Sequence, residues 1–247
     1  MVLRDDLGAA VDVTGPAHRV VSLVPSLTEA LVATRPEAIV GATDWCTHPA
    51  DLDVARVRGT KNPDVKKIVE LRPDLVVVNQ EENRELDVRR MREAGILVWV
   101  TVIETVPQAL ESMSRLFDEG LRWGRPPWLD QAVAAWDGPL PAVRTRVAVP
   151  IWRDPWMVVG RATFTGDLLR RLGAENVYAG HADRYPKVTV EVLDASGADL
   201  VLLPDEPYVF TAEDGPEAFA RTATRLVSGR LLTLYGPSLL EAAELTF

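Results

Sequence analysis

The stretch "LRPDLVVVNQEE", residues 71–82, has a near-copy downstream, "SGADLVLLPDEP", residues 196–207. In "DLVVV" the apolar residues run together instead of alternating, as in a strand covered by helices on both faces of a parallel sheet. A second pair agrees with the first: "HRVVSLVP", residues 18–25, matches "TRVAVPIW", residues 145–152. Val20 and Val147 are 127 positions apart, and Asp74 and Asp199 are 125 apart. Two offsets that nearly agree across separate segments point to a duplicated α/β unit. Ligands of open parallel sheets sit beyond the carboxyl ends of the strands, so two such units facing each other would line one cleft.

Working outward, strand and helix alternate. "SLTEALVATR" reads as a helix with Ser26 as cap and Glu29 three residues on. "PEAIVGAT" is a strand, and "NPDVKKIVELRP" a helix with Asn62 as a candidate cap and Pro63 in its first turn. "NRELDVRRMREAG" is helical and "ILVWVT" a strand. Leu110, Met113, Phe117 and Leu121 recur at helical spacing, so the middle of the chain reads as one long helix or two stacked ones. The pattern then restarts with "TRVAVPIW", a helix from "FTGDLLRRLG" ending at Gly173, a helix at "TVEVLDASGA" and a strand at "DLVLLP". "AEDGPEAFARTATRLVSG" reads as helical after its loop, "RLLTLYG" as a strand, and the tail as a last helix. The expected organisation is an N-terminal extension (1–17), an α/β lobe (18–103), a linking helix region (104–143) and a second α/β lobe (144–247).

The chain has 247 residues, a net charge of −9 and a pI near 4.9. General affinity for nucleic acid or anionic membranes needs clustered positive charge, so neither is expected; the nearest basic segment, "RLFDEGLRWGR", reads as a solvated helix face. One cysteine excludes an intrachain disulfide and a Cys-rich zinc or iron–sulfur site. The opening "MVLRDDLGAAVDVTG" has acids where a signal peptide is basic, and no segment reaches the ~20 apolar residues of a membrane span. As written, a cytoplasmic location is expected, or an extracytoplasmic one if the true start lies upstream.

The segments "RVVSLVPSLTEAL", "IVGATDWCTHP", "IVELRPDLVVV", "MREAGILVWV", "PWMVVGRATFTGDLLRRLGAENVY" and "YGP", in that order, resemble the substrate-binding proteins of cobalamin and iron–siderophore ABC importers. These are the helical-backbone metal receptors of the periplasmic-binding-protein superfamily. The resemblance implies two similar, mostly parallel-sheet lobes joined by a long backbone helix, with a ligand cleft between them. It implies a monomeric binder rather than an enzyme, with no intrinsic cofactor. The partners would be a metal-containing small molecule (corrinoid, haem-like or iron–siderophore) and an ABC permease. Two departures stand out. No export signal or lipobox cysteine is seen, and where the family presents a permease-docking Glu on each lobe, this chain has Lys66 in the first and Glu191 in the second.

Candidate contacts come from the strand exits. Ser26 closes the first strand, as cap or as a cleft hydroxyl. Trp45 offers apolar area with a polar handle, or packs its loop. Cys46 reads as a small buried hydrophobe. His48 is a loop hydrogen-bonder or a ligand contact, and a metal site would need a third donor such as His181. Gln80 is a candidate contact, with Glu81 beside it and Asn83 as a helix cap; the downstream counterparts are Asp205, Glu206 and Tyr208. "IWRDPWMVVGRATF" is the densest aromatic run, and the resemblance places its first part on a cleft-facing loop. Trp152, Arg153, Trp156 and Arg161 are its candidates, suited to an anionic siderophore or a phosphate-bearing corrinoid, with Trp156 alternatively sealing the loop. No nucleophile–base motif or phosphate-binding glycine loop is present. An enzyme acting on a metallated cofactor is therefore the weakest alternative, behind a cytoplasmic regulatory or structural descendant that has lost transport docking.

Overall fold

A computed structural model describes residues 3–247, which divide by contact into two units. Unit 1 is built on five parallel strands: β1 (Val20–Ser22), β2 (Ile39–Ala42), β3 (Ala55–Arg56), β4 (Leu75–Asn79) and β5 (Val98–Thr101), in the order β3-β2-β1-β4-β5. Every residue of β4 is buried. Val76 and Val78 join Val21, Leu23, Ile68, Met91 and Val98 in one core, which is why the run is continuous rather than alternating. Trp99 is fully buried. Gly120 passes so close to its ring that an added Cβ would lie 2.9 Å from it, a crowding only glycine relieves.

The helices of unit 1 are α1 (Pro25–Val32), α2 (Val65–Glu70) and α3 (Glu85–Glu93). Their starts correct three sequence expectations. Helix α1 begins at Pro25 behind Val24, with no side-chain cap, so Ser26 lies inside the helix, buried. Proline at the first position already supplies the start, since its missing N–H needs no partner. Helix α2 is capped by Asp64, whose carboxylate accepts from Lys67 N–H at 3.1 Å; Asn62 and Pro63 belong instead to a short hairpin with Arg58–Gly59. Helix α3 has Arg84 at its N-cap position, without a side-chain cap, and Asn83 is employed elsewhere. Residues 3–17 pack on this unit. The buried Asp5 pairs with Arg92 at 2.8 Å, and Asp6 binds Arg115 at 2.6 Å, Ser112, and Val102 N–H at 3.0 Å.

A long connecting helix spans residues 106–120. It is α-helical as α4 (Val106–Arg115) and widens to a π turn over Leu116–Gly120. Helix α5 (Pro127–Trp136) follows after a break.

Unit 2 repeats the plan with β6 (Thr145–Ala148), a hairpin of β7 (Pro150–Trp152) and β8 (Met157–Val158), α6 (Phe164–Arg171), β9 (Ala174–Asn176), α7 (Val190–Asp194), β10 (Leu200–Pro204), β11 (Ala223–Val227), α8 (Gly229–Thr233) and α9 (Ser238–Ala242). Strands β9-β6-β10-β11 form a parallel sheet. Two expectations are reversed here. "AEDGPEAFARTATRLVSG" is a loop with one short 3₁₀ turn followed by strand β11, and "RLLT" is helix α8 rather than a strand. The "ATRLV" of β11 is broken by Thr224 and Arg225, which the strand tolerates because it edges its sheet and is mostly exposed, so it lacks the continuous apolar run of a buried strand. Gly173 ends α6 at φ 79° as expected, and β9 follows at once.

Candidate functional site

In unit 1 the chain runs outward from β1 to β2 and β3, then returns to β4 on the other side of β1. The crevice at such a reversal is where an open parallel sheet binds ligands. Asn83 builds this corner. Its carbonyl oxygen accepts Asn79 N–H at 2.9 Å, while its amide donates to Leu23 O at 3.2 Å and Thr60 O at 3.0 Å. One buried side chain thus ties the β1 exit, the β4 exit and the Arg58–Pro63 hairpin together, a larger task than the helix cap the sequence suggests.

Around this corner the candidates separate. Trp45 is 56% exposed, its indole nitrogen close over Gly59. Gln80 is exposed, and its backbone N–H donates to Thr101 O at 3.0 Å. Ser26 is buried. His48 is half-buried before a cis Pro49. Cys46 is fully buried, with its sulfur 3.0 Å from Thr28 Oγ1 and 3.1 Å from Thr43 Oγ1, and burial pushes its thiol pKa up. This agrees with the small-hydrophobe reading. Among the described residues no group of three or more His, Cys, Asp or Glu is placed to hold a metal ion.

Sequence reasoning missed Glu82. Burial, and then repulsion from Glu81, raise its pKa to about 7, against the opposing effects of Lys61 and a hydrogen bond with Tyr235. Lys61 itself donates to the Glu81 carbonyl. Tyr235 is buried and arrives from the segment after α8. The signal is the "QEE" at the β4 exit together with the "YGP" near the end, which sequence distance keeps apart.

Unit 2 has the same reversal, between β6 and β10. The β7–β8 hairpin stands at the β6 exit and turns at Arg153–Trp156, with Asp154 at φ 58°. Trp152 at its tip is 41% exposed. It meets Tyr208, from the β10 exit, edge-on with centroids 5.7 Å apart. Tyr208 touches Phe210 at 4.7 Å, Phe210 stacks on Trp156 at 5.7 Å, and Trp156 meets Phe219 edge-on at 5.6 Å. An aromatic ladder therefore runs from an exposed tip into the core. Trp156, 7% exposed, is a rung inside it, which is the sealing role.

Arg153 does not reach outward. It donates to Asp214 and, at 2.6 Å, to Glu217, and it lies 5.4 Å over the Trp156 ring. These contacts raise its pKa further and lower that of Glu217. Tyr208 Oη donates to Asp214 at 2.6 Å. Arg161 is exposed in the turn after β8, and among the described residues no ion pair joins it to this network. His181 is exposed, its Nδ1 accepting Asp183 N–H at 3.0 Å. Glu191 is exposed as the second residue of α7, whose cap Thr189 accepts from Val192 N–H at 3.4 Å. Lys66 occupies the same second position of α2, 89% exposed.

No family model matches the chain. The structure is similar to that of the periplasmic haem-binding protein BhuT in complex with two haems, at TM-score 0.77 and 23% identity over 93% of this chain and 96% of that one. It is also similar to the periplasmic vitamin B12 binding protein BtuF of Vibrio cholerae, at TM-score 0.71 and 16% identity over 93% and 94%. The fold is that of the periplasmic-binding-protein superfamily. In sequence, the chain is 26% identical to an uncharacterized ABC transporter substrate-binding lipoprotein, YvrC, of Bacillus subtilis across 99% of this chain and 83% of that one. It is 22% identical to the vitamin B12-binding protein of Vibrio cholerae across 80% and 71%. Within this superfamily fold, the two sheet reversals described above are the positions where side chains from separate loops converge.

Proposed function

We propose that this chain is a non-catalytic, extracytoplasmic binding protein that holds a corrinoid, haem-like or ferric-siderophore ligand for an ABC-type importer. The observation that carries this reading is the aromatic pair at the sheet reversal of unit 2, the exposed Trp152 edge-on to the half-buried Tyr208. A broad, flat ligand is held by such rigid aromatic area at little entropic cost. The ligands named for the similar proteins, vitamin B12 and haem, are of that shape. Those relatives are periplasmic by name, which supports the extracytoplasmic placement over the cytoplasmic one. In unit 1, Trp45 and Gln80 are the contacts of choice, with His48 at the margin. In unit 2, Trp152 and Arg161 are, while Arg153 and Trp156 belong to the ladder and ion-pair network behind Trp152. Ser26, buried in the first turn of α1, is not among these contacts. Equilibrium titration followed by tryptophan quenching and ligand absorbance tests the reading; failure of every corrinoid, haemin and ferric siderophore to bind removes it.

A second reading, a regulatory or structural descendant without transport docking, is favoured by Lys66. The resemblance asks for an exposed Glu there, and Glu191 takes the equivalent place in unit 2. Reconstitution with a candidate permease separates the two readings. Stimulation of its ATPase that is lost in Glu191→Lys supports transport, and no stimulation in either direction supports the descendant.

A further inference from the structure

We propose that the strand-exit face of unit 2 discriminates against carboxylate-bearing ligands, because Asp214 and Glu217 hold Arg153 as a neutralised strut beneath Trp152 and Tyr208. The inference rests on the binding role above and narrows its ligand class. An arginine beside two aromatic rings would ordinarily mark an anion site. Here one guanidinium faces two carboxylates and a π face, and its charge is more than cancelled. Glu217 also accepts Gly215 N–H at 2.5 Å, and the Tyr208 hydroxyl is directed into Asp214, so the donors beside the two carboxylates are taken up while part of each carboxylate stays open to solvent. The β10 exit loop, residues 205–220, carries Asp205, Glu206, Glu213, Asp214 and Glu217 and no basic residue. A ligand carboxylate set down here meets like charge without a partner, a juxtaposition that interfaces use to reject wrong ligands.

The three ligand classes differ in this respect. Haem presents two propionates, and many ferric siderophores carry net negative charge. A corrinoid rim is lined with neutral carboxamides, whose N–H groups suit the remaining carboxylate lone pairs. Arg161 stands exposed in the turn after β8, outside the network. The structure therefore assigns the face to an amide-rimmed corrinoid.

The test is an equilibrium titration of the full chain with cyanocobalamin and with cyanocobalamin whose peripheral propionamides have been hydrolysed to carboxylates. The tricarboxylate is expected to bind at least about tenfold more weakly at low salt, with the gap shrinking at high salt. Asp214→Asn combined with Glu217→Gln should narrow the gap by releasing Arg153. If that variant fails to fold, the affinities of the two ligands for the unaltered chain still decide the question. Equal affinity for both, or binding of haemin without cyanocobalamin, overturns the inference and leaves the binding role standing. No binding of any corrinoid, haemin or ferric siderophore removes both.

Discussion

The Asp199 carboxylate accepts the backbone N–H of Arg146 at 2.8 Å, and Asp74 holds Arg19 in the same way at 2.9 Å. Each Asp precedes a buried interior strand of its unit and clamps the entrance of the strand beside it. Asp74 also takes His18 N–H at 2.8 Å. Replacing either Asp with Ala should cost about 1 kcal/mol, the low end for a charge-assisted hydrogen bond because both carboxylates are exposed. Urea unfolding would read this as a lower midpoint with an unchanged slope.

The clamp also explains how much of the fold is legible in the sequence. The Asp followed by an unbroken apolar run is visible twice because sheet burial constrains every residue of β4 and nearly all of β10. Exposed strands impose no such constraint, so β11 reads as helix. Helix starts mislead for a different reason. Ser26, Asn62 and Asn83 are all good capping types, but Pro25, Asp64 and a loop-tying role displace them. At the site, aromatic density at the strand exits points to the exposed Trp45 and Trp152. The neutralisation of Arg153 has no such local sign, because Asp214 and Glu217 lie some 60 positions away along the chain.

Glu82 carries a pH signature. Its folded pKa, about 7, lies above the ordinary glutamate value of 4.5. The folded state thus binds the proton more tightly, so stability is undiminished below about pH 4.5 and falls as pH rises toward 7. Glu82→Gln should accordingly stabilise the protein above pH 7, by up to about 3 kcal/mol, and by nothing below pH 4.5. Parallel denaturant melts of parent and variant across that range would show the difference; a pH-independent gap would contradict it.

Cys46 should be slow to react. Burial raises its thiol pKa and shields the sulfur, and the thiolate is the reactive form. A disulfide-exchange reagent is expected to titrate one thiol promptly in denaturant and scarcely at all in the native protein.

Trp152→Ala removes an exposed side chain, so unfolding stability should move by no more than about 0.5 kcal/mol. Ligand affinity should fall by roughly tenfold or more, as for an aromatic anchor. Trp156→Ala should reverse the balance, costing about 3 kcal/mol or more of stability as a large core side chain.

The burial of Trp99 against Gly120 has a use at the bench. Its indole nitrogen has no hydrogen-bond acceptor among the described residues, so its fluorescence belongs at the blue edge of the spectrum, whereas Trp45 and Trp152 emit to the red from water. A molecule settling on the rims would dim the long wavelengths first, leaving the short-wavelength light as a built-in reference within one cuvette.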